Sequence, residues 1–195
     1  MMLLLNQIKF LLNISSTHEI IRRYFVVNGF DGALTMLGMI MGFLISDSVN
    51  NSTIISACLG AAIALGVSGV SSAYVSEAAE RKRALAELEE AMVTDLQQSA
   101  HGDAAKWVPM LIALVNGLAP FSISLLILTP LFLVHMGIVL PASPLHLSIF
   151  IALVLIFLLG VFLGRISDIS WLRSGIQTLF IAILTLFLIY LFVGP

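Results

Sequence analysis

The stretch from Phe25 to Ser46 reads FVVNGFDGALTMLGMIMGFLIS. It is apolar enough and long enough to cross a bilayer, for which about 20 residues suffice at roughly 1.5 Å per residue. Inside it lies a carboxylate, Asp31, seven residues past Tyr24 and so roughly 10 Å into the span. A charge at that depth costs at least about 2.5 kcal/mol, so an acid kept there marks, by default, an ion or proton path. At about 100° per residue, Thr35, Gly38, Gly42 and Ser46 share the Asp31 face, with Met39 at its edge. The opposite side carries Leu34, Leu37, Ile40, Met41 and Leu44. Two roles remain for Asp31: a ligand in a conduit, or a carboxylate that bends to Arg22 or Arg23 at the interface or caps a broken helix. Met36, Met39 and Met41 are packing residues or soft, weak ligands for a passing metal, and Met39 shares the Asp31 face.

Composition sets the class. The chain of 195 residues is 59% hydrophobic and 10% charged, with a mean hydropathy of +1.08. A soluble domain is nearer a quarter charged, so an all-α integral membrane protein is expected, as a single membrane domain over residues 1–195. The net charge of −2 and the absence of a basic run longer than Arg81-Lys82-Arg83 give no reason to expect nucleic acid. Cys58 is the single cysteine, so neither a disulfide framework nor a CxxC metal site is expected.

Outward from the first span, 24–46, four more follow: 53–75, 107–134, 147–164 and 174–193. Residues 1–23 read as an N-terminal interfacial segment, because Lys9 interrupts an apolar run that lacks a signal cleavage site. The second span is rich in Gly, Ala and Ser. Its ladder Gly60, Ala64, Ser68, Ser72 is expected to press on a neighbour. Residues 76–106 form a short cytoplasmic helical extension between spans two and three. It is free of Gly and Pro until His101-Gly102-Asp103, where the break is expected. Asn116-Gly117 and Pro120 fall inside the third span, and a proline there frees a carbonyl that a neighbour or cavity must satisfy.

Charge sets the orientation. All nine Lys and Arg lie before span one, between spans two and three, or between spans four and five. The positive-inside rule then places the N-terminus in the cytoplasm and the C-terminus outside.

The extension carries two E-x-x-E pairs, Glu77 with Glu80 and Glu87 with Glu90. Glu80, Glu87 and Glu90 fall within one arc, with Glu77 at its edge. Such carboxylates either hold a divalent cation or form a solvated face with i, i+4 ion pairs, Glu77 to Arg81 and Arg83 to Glu87. No Ser/His/Asp or paired-His arrangement points to an enzyme, and no cofactor is expected.

Taken together, Asp31-Gly32 with Thr35, the second span running into Ser76-Glu77, the two E-x-x-E pairs, Trp107-x-Pro109 and Trp171-x-Arg173-Ser174-Gly175 resemble the vacuolar iron transporter family over residues 20 to 193. The resemblance implies a five-span homodimer that exports Fe²⁺ or Mn²⁺ from the cytosol, against protons. It implies metal ligation by Asp31, Glu77, Glu80, Glu87 and Glu90; Thr35 and Met39, by their place on the Asp31 face, would stand beside the path. The expected location is the cell membrane, or the vacuolar membrane in a eukaryote. Two features depart from that family. Leu65 stands where a span-two methionine is usual, and the short extension leaves only Asp95, His101 and Asp103 as further candidate ligands. The alternative from another class is a non-transporting anchor or assembly subunit of a larger complex.

Overall fold

The computed structural model describes residues 17–46, 49–167 and 169–194. The expected interfacial run at Met1 to Leu12 lies outside them. Five helices follow one another: α1 Thr17–Ile45, α2 Asn51–Met92, α3 Ala100–His135, α4 Pro144–Ile166 and α5 Trp171–Val193. Each is long and apolar enough to cross a membrane.

The elements begin and end for local reasons. Asn50 Oδ1 accepts the backbone N–H of Ser52 at 3.2 Å and so opens α2. Pro144 occupies the first turn of α4, where its missing N–H costs nothing. α2 runs unbroken from the apolar second span into the acidic stretch. The expected break at His101-Gly102-Asp103 is corrected: these residues form the first turn of α3, and the chain turns at 93–99 instead. Val93 leaves the helix with φ of 51°. The Glu89 carboxylate then accepts the N–H of Leu96 at 3.0 Å and the amide of Gln97 at 3.2 Å. Gly102 has a different purpose from breaking a helix, because a Cβ there would strike the Gln97 carbonyl.

The chain forms two compact units. One takes the start of α1 through Phe25 together with residues 67–118. Ala104, Val108 and Ile112 are buried there beneath Ile20, Ile21 and Tyr24. In the same unit the amide of Asn116 donates to the Gly69 carbonyl at 2.7 Å. A Cβ on Gly69 would lie 2.9 Å from the Asn116 oxygen, so α2 and α3 touch backbone to backbone. That oxygen is the carbonyl whose helical partner Pro120 cannot supply.

The other unit takes residues 26–66 and 119–195. Its core joins Met36, Leu37 and Ile40 of α1 to Ile54 and Cys58 of α2, Ile127, Leu128 and Leu131 of α3, and Ile156 of α4. Small residues bring α4 and α5 together. A Cβ on Gly160 would collide with the Thr178 hydroxyl, and one on Gly164 would sit 2.8 Å from Ser174 Cβ. The outward side of α5 is bare and apolar, with Ile176, Phe180, Ile183, Phe187 and Leu191 all exposed.

The ladder expected to press on a neighbour meets none among the described residues. Ala64, Ser68 and Ser72 are exposed, and a Cβ on Gly60 would find nothing within 4 Å. The packed face of that helix is built from Ile54, Ile55, Cys58 and Ala62, further around the turn.

Candidate functional site

Asp31 owes its position to the glycines around it. Gly29 and Gly32 are buried. A Cβ on Gly29 would lie 3.3 Å from Leu159 of α4, and one on Gly32 would lie 2.7 Å from both the Cα and the carbonyl oxygen of Pro120 in α3. The helix is therefore pressed inward on that side, and Asp31, one residue around the turn, is exposed. Thr35, Gly38, Met39 and Gly42 continue from it half-buried, and Ser46 is exposed again. Met39 packs against the apolar core of its unit, while Met36 is fully buried within that core. A Cβ on Gly42 would meet nothing within 4 Å. The small, polar face of α1 is thus open at Asp31, Gly42 and Ser46, while midway a Cβ on Gly38 would touch Ile189 of α5 at 3.4 Å.

The four glutamates lie along the polar half of α2, where Glu77 is half-buried and Glu80, Glu87 and Glu90 are exposed. Glu77 is held from two sides. The Tyr24 hydroxyl donates to it at 3.2 Å, and Arg81 lies 3.8 Å from its other oxygen. Glu87 accepts a hydrogen bond from the Arg83 guanidinium at 2.9 Å. That bond, then the charges of Glu87 and Glu80, raise the Arg83 pKa further above its usual range. Glu90 uses its backbone carbonyl to accept the N–H of Val93. Both i, i+4 pairs read from the sequence are formed. Among the described residues, no three of His, Cys, Asp and Glu converge as a group that could hold a metal ion. The glutamates make a string of carboxylates, two of them neutralised by arginine, rather than an assembled cage.

The other candidates have structural work. Asp95 accepts the Gln97 N–H at 2.8 Å in the α2–α3 turn. Asp103 sits in the first turn of α3, where the helix dipole favours an acid. His101 is exposed. Two contacts escaped the sequence reading. Tyr24 docks on Glu77 across 53 residues of sequence, and a tyrosine beside a basic pair at the edge of a span was the available signal. Asn116 ties α3 to α2 at Gly69, and a buried amide in an apolar helix, which must find a partner, was the signal there.

The chain is 32% identical to the uncharacterized protein MJ0645 of Methanocaldococcus jannaschii over 158 residues, 80% of this chain and 79% of the archaeal one. No family model matches the chain. No solved structure matches it.

Proposed function

We propose that this chain, which belongs to the same family as the archaeal protein MJ0645, is a membrane transporter that moves Fe²⁺ or Mn²⁺ out of the cytosol in exchange for protons. One observation carries the reading. Asp31 lies exposed on a helix long and apolar enough to span the bilayer, beside two glycines packed against α3 and α4. A carboxylate facing lipid there is unfavourable by at least about 2.5 kcal/mol. Something other than lipid covers it, and a hydrated path shared with a second copy of the chain supplies both the cover and a use for the charge. The exposed small residues Gly60, Ala64 and Ser68 of α2 support such a homodimer, because small residues let helices approach closely in lipid.

In this reading the Asp31 face of α1 is the path. Glu77, Glu80, Glu87 and Glu90 draw the cation from the cytoplasm, and Glu80 and Glu90 form no ion pair among the described residues. Asp31 receives the ion by its oxygens, which suit Mn²⁺ and tolerate Fe²⁺, with Met39 and Thr35 beside it. When the ion leaves, the same carboxylate takes a proton, which couples the two flows. The distribution of Lys and Arg supports a cytoplasmic N-terminus, an extension 76–106 on the cytoplasmic side and an external C-terminus. The membrane is the cell membrane, or the vacuolar membrane in a eukaryote.

A second reading, a non-transporting anchor subunit, is favoured by the Glu77–Arg81 and Glu87–Arg83 pairs, which explain those acids without any metal. Initial uptake into sealed proteoliposomes separates the two. Fe²⁺, Mn²⁺, Co²⁺ and Zn²⁺ are offered in turn, with a pH dye inside. Entry of Fe²⁺ or Mn²⁺ with an opposing proton flow is expected. No flux of any of the four leaves the anchor reading.

A further inference from the structure

The polar half of α2 and the start of α3 form a groove of about 420 Å³ that is lined by none of Glu77, Glu80, Glu87, Glu90 and Asp31. That is the size of a site for one small ligand. Two lysines, Lys82 and Lys106, line it from different helices, together with Tyr74, Leu85, Glu89 and Gln97. Among the described residues neither lysine takes part in an ion pair. Glu89 is occupied on the same oxygen by the N–H of Leu96 and the Gln97 amide. The groove therefore offers two uncommitted ammonium groups against one carboxylate already engaged by donors.

Its ends differ. Tyr74 and Pro109 line it from positions that the hydropathy of the chain places inside the second and third spans, whereas Lys82, Glu89 and Gln97 lie beyond them. Lys106 stands directly before Trp107, which is 57% exposed, and Tyr74 is 50% exposed. Exposed Tyr and Trp mark the level where hydrocarbon gives way to water. A groove that is apolar toward the bilayer and cationic toward water is complementary to an anionic amphiphile. Basic pockets between membrane helices hold lipid head groups in this way.

We infer that the α2–α3 groove binds one anionic phospholipid per chain, its phosphate held by Lys82 and Lys106 and its glycerol end against Tyr74 and Pro109. This needs the membrane placement of the helices but not metal transport, so the two fail separately. The test uses the full chain, delipidated in neutral detergent and titrated with short-chain phosphatidylglycerol, phosphatidylcholine or inorganic phosphate. Native mass spectrometry reads the bound mass. One phosphatidylglycerol per chain is expected at concentrations where phosphatidylcholine and inorganic phosphate do not bind. Lys82→Gln with Lys106→Gln should weaken it about thirtyfold, about fivefold for each lysine. Ala86→Trp, which fills the groove and leaves both charges, should weaken it too, while Arg165→Gln outside the groove should not. Both lysines are exposed, so circular dichroism should show unchanged helix content. Equal affinity for the two lipids, equal affinity for inorganic phosphate, or an unchanged double-lysine variant would overturn the inference.

Discussion

Replacing Gly32 by alanine tests the packing that leaves Asp31 on the open side of α1. A methyl group at this position would start 2.7 Å from the Cα and the carbonyl oxygen of Pro120 and 3.0 Å from its carbonyl carbon. All three are backbone atoms, so no side chain can swing aside. Restoring ordinary contact requires α1 and α3 to part by roughly 0.7 Å, which weakens dispersion contacts along the seam around Leu37, Ile127 and Leu131. Overpacking of this kind costs about 1–3 kcal/mol. Against it stands the gain of about 1 kcal/mol from exchanging glycine for alanine in a helix. The expected net loss is about 0–2 kcal/mol, which places Gly32→Ala about 1–3 kcal/mol below a variant that gains the alanine without the clash. Gly42→Ala, ten residues along the same helix, is the internal control, since its methyl meets nothing within 4 Å. It should be neutral or gain up to about 1 kcal/mol. Reversible unfolding in mixed micelles, followed by circular dichroism across a denaturing-detergent titration, measures both. A Gly32→Ala protein as stable as Gly42→Ala would refute the close approach of α1 to α3.

Two further expectations concern the acids and the orientation. Replacing Glu77, Glu80, Glu87 and Glu90 together by Gln should weaken equilibrium Mn²⁺ binding by tenfold or more, with the helix content kept, because Gln is nearly as good a helix former. Unchanged binding in a dye-competition titration would reduce these residues to their arginine pairs. In a Cys58→Ala background, a membrane-impermeant thiol reagent should label Ala142→Cys in intact cells and spare Ala91→Cys. Both positions are exposed in the structure, so access alone decides, and the opposite pattern would reverse the topology.

The spans were legible because hydropathy is a sum over some 20 residues and tolerates local irregularity. The unbroken α2 was legible too, since residues 76–92 hold neither Gly nor Pro. The turn after it was not. Gly102 reads as a breaker, yet its small size serves the contact with the Gln97 carbonyl, whereas the true exit places Val93, a β-branched residue, at φ of 51°. No local preference selects that. It is held by Glu89 reaching to Leu96 and Gln97, a tie between residues seven and eight apart. On α1, helical periodicity set exposed Asp31 apart from buried Leu37 and Ile40, but Leu34, Met41 and Leu44 on the opposite side are half-buried, as Thr35 and Gly42 are. It could not tell that Gly29 and Gly32, rather than bulky residues, pin the helix at the level of Asp31. On α2 the small-residue ladder of Gly60 and Ala64 signals close packing but not its partner, and within the chain the packing falls to Ile54, Cys58 and Ala62.

Initial Fe²⁺ and Mn²⁺ uptake by Asp31→Asn, in proteoliposomes carrying protein matched by size-exclusion chromatography, tests the transport reading most directly. Asn keeps the shape and a carbonyl acceptor but bears no negative charge and does not titrate. Asp31 is exposed, so the exchange disturbs no packing, and removing a charge from a membrane span favours the folded state if it changes it at all. The account predicts uptake at the level of empty vesicles, with the elution profile and thermal stability of the parent kept. Uptake at the parent rate would contradict it and leave Asp31 a residue of the helix surface rather than of an ion path.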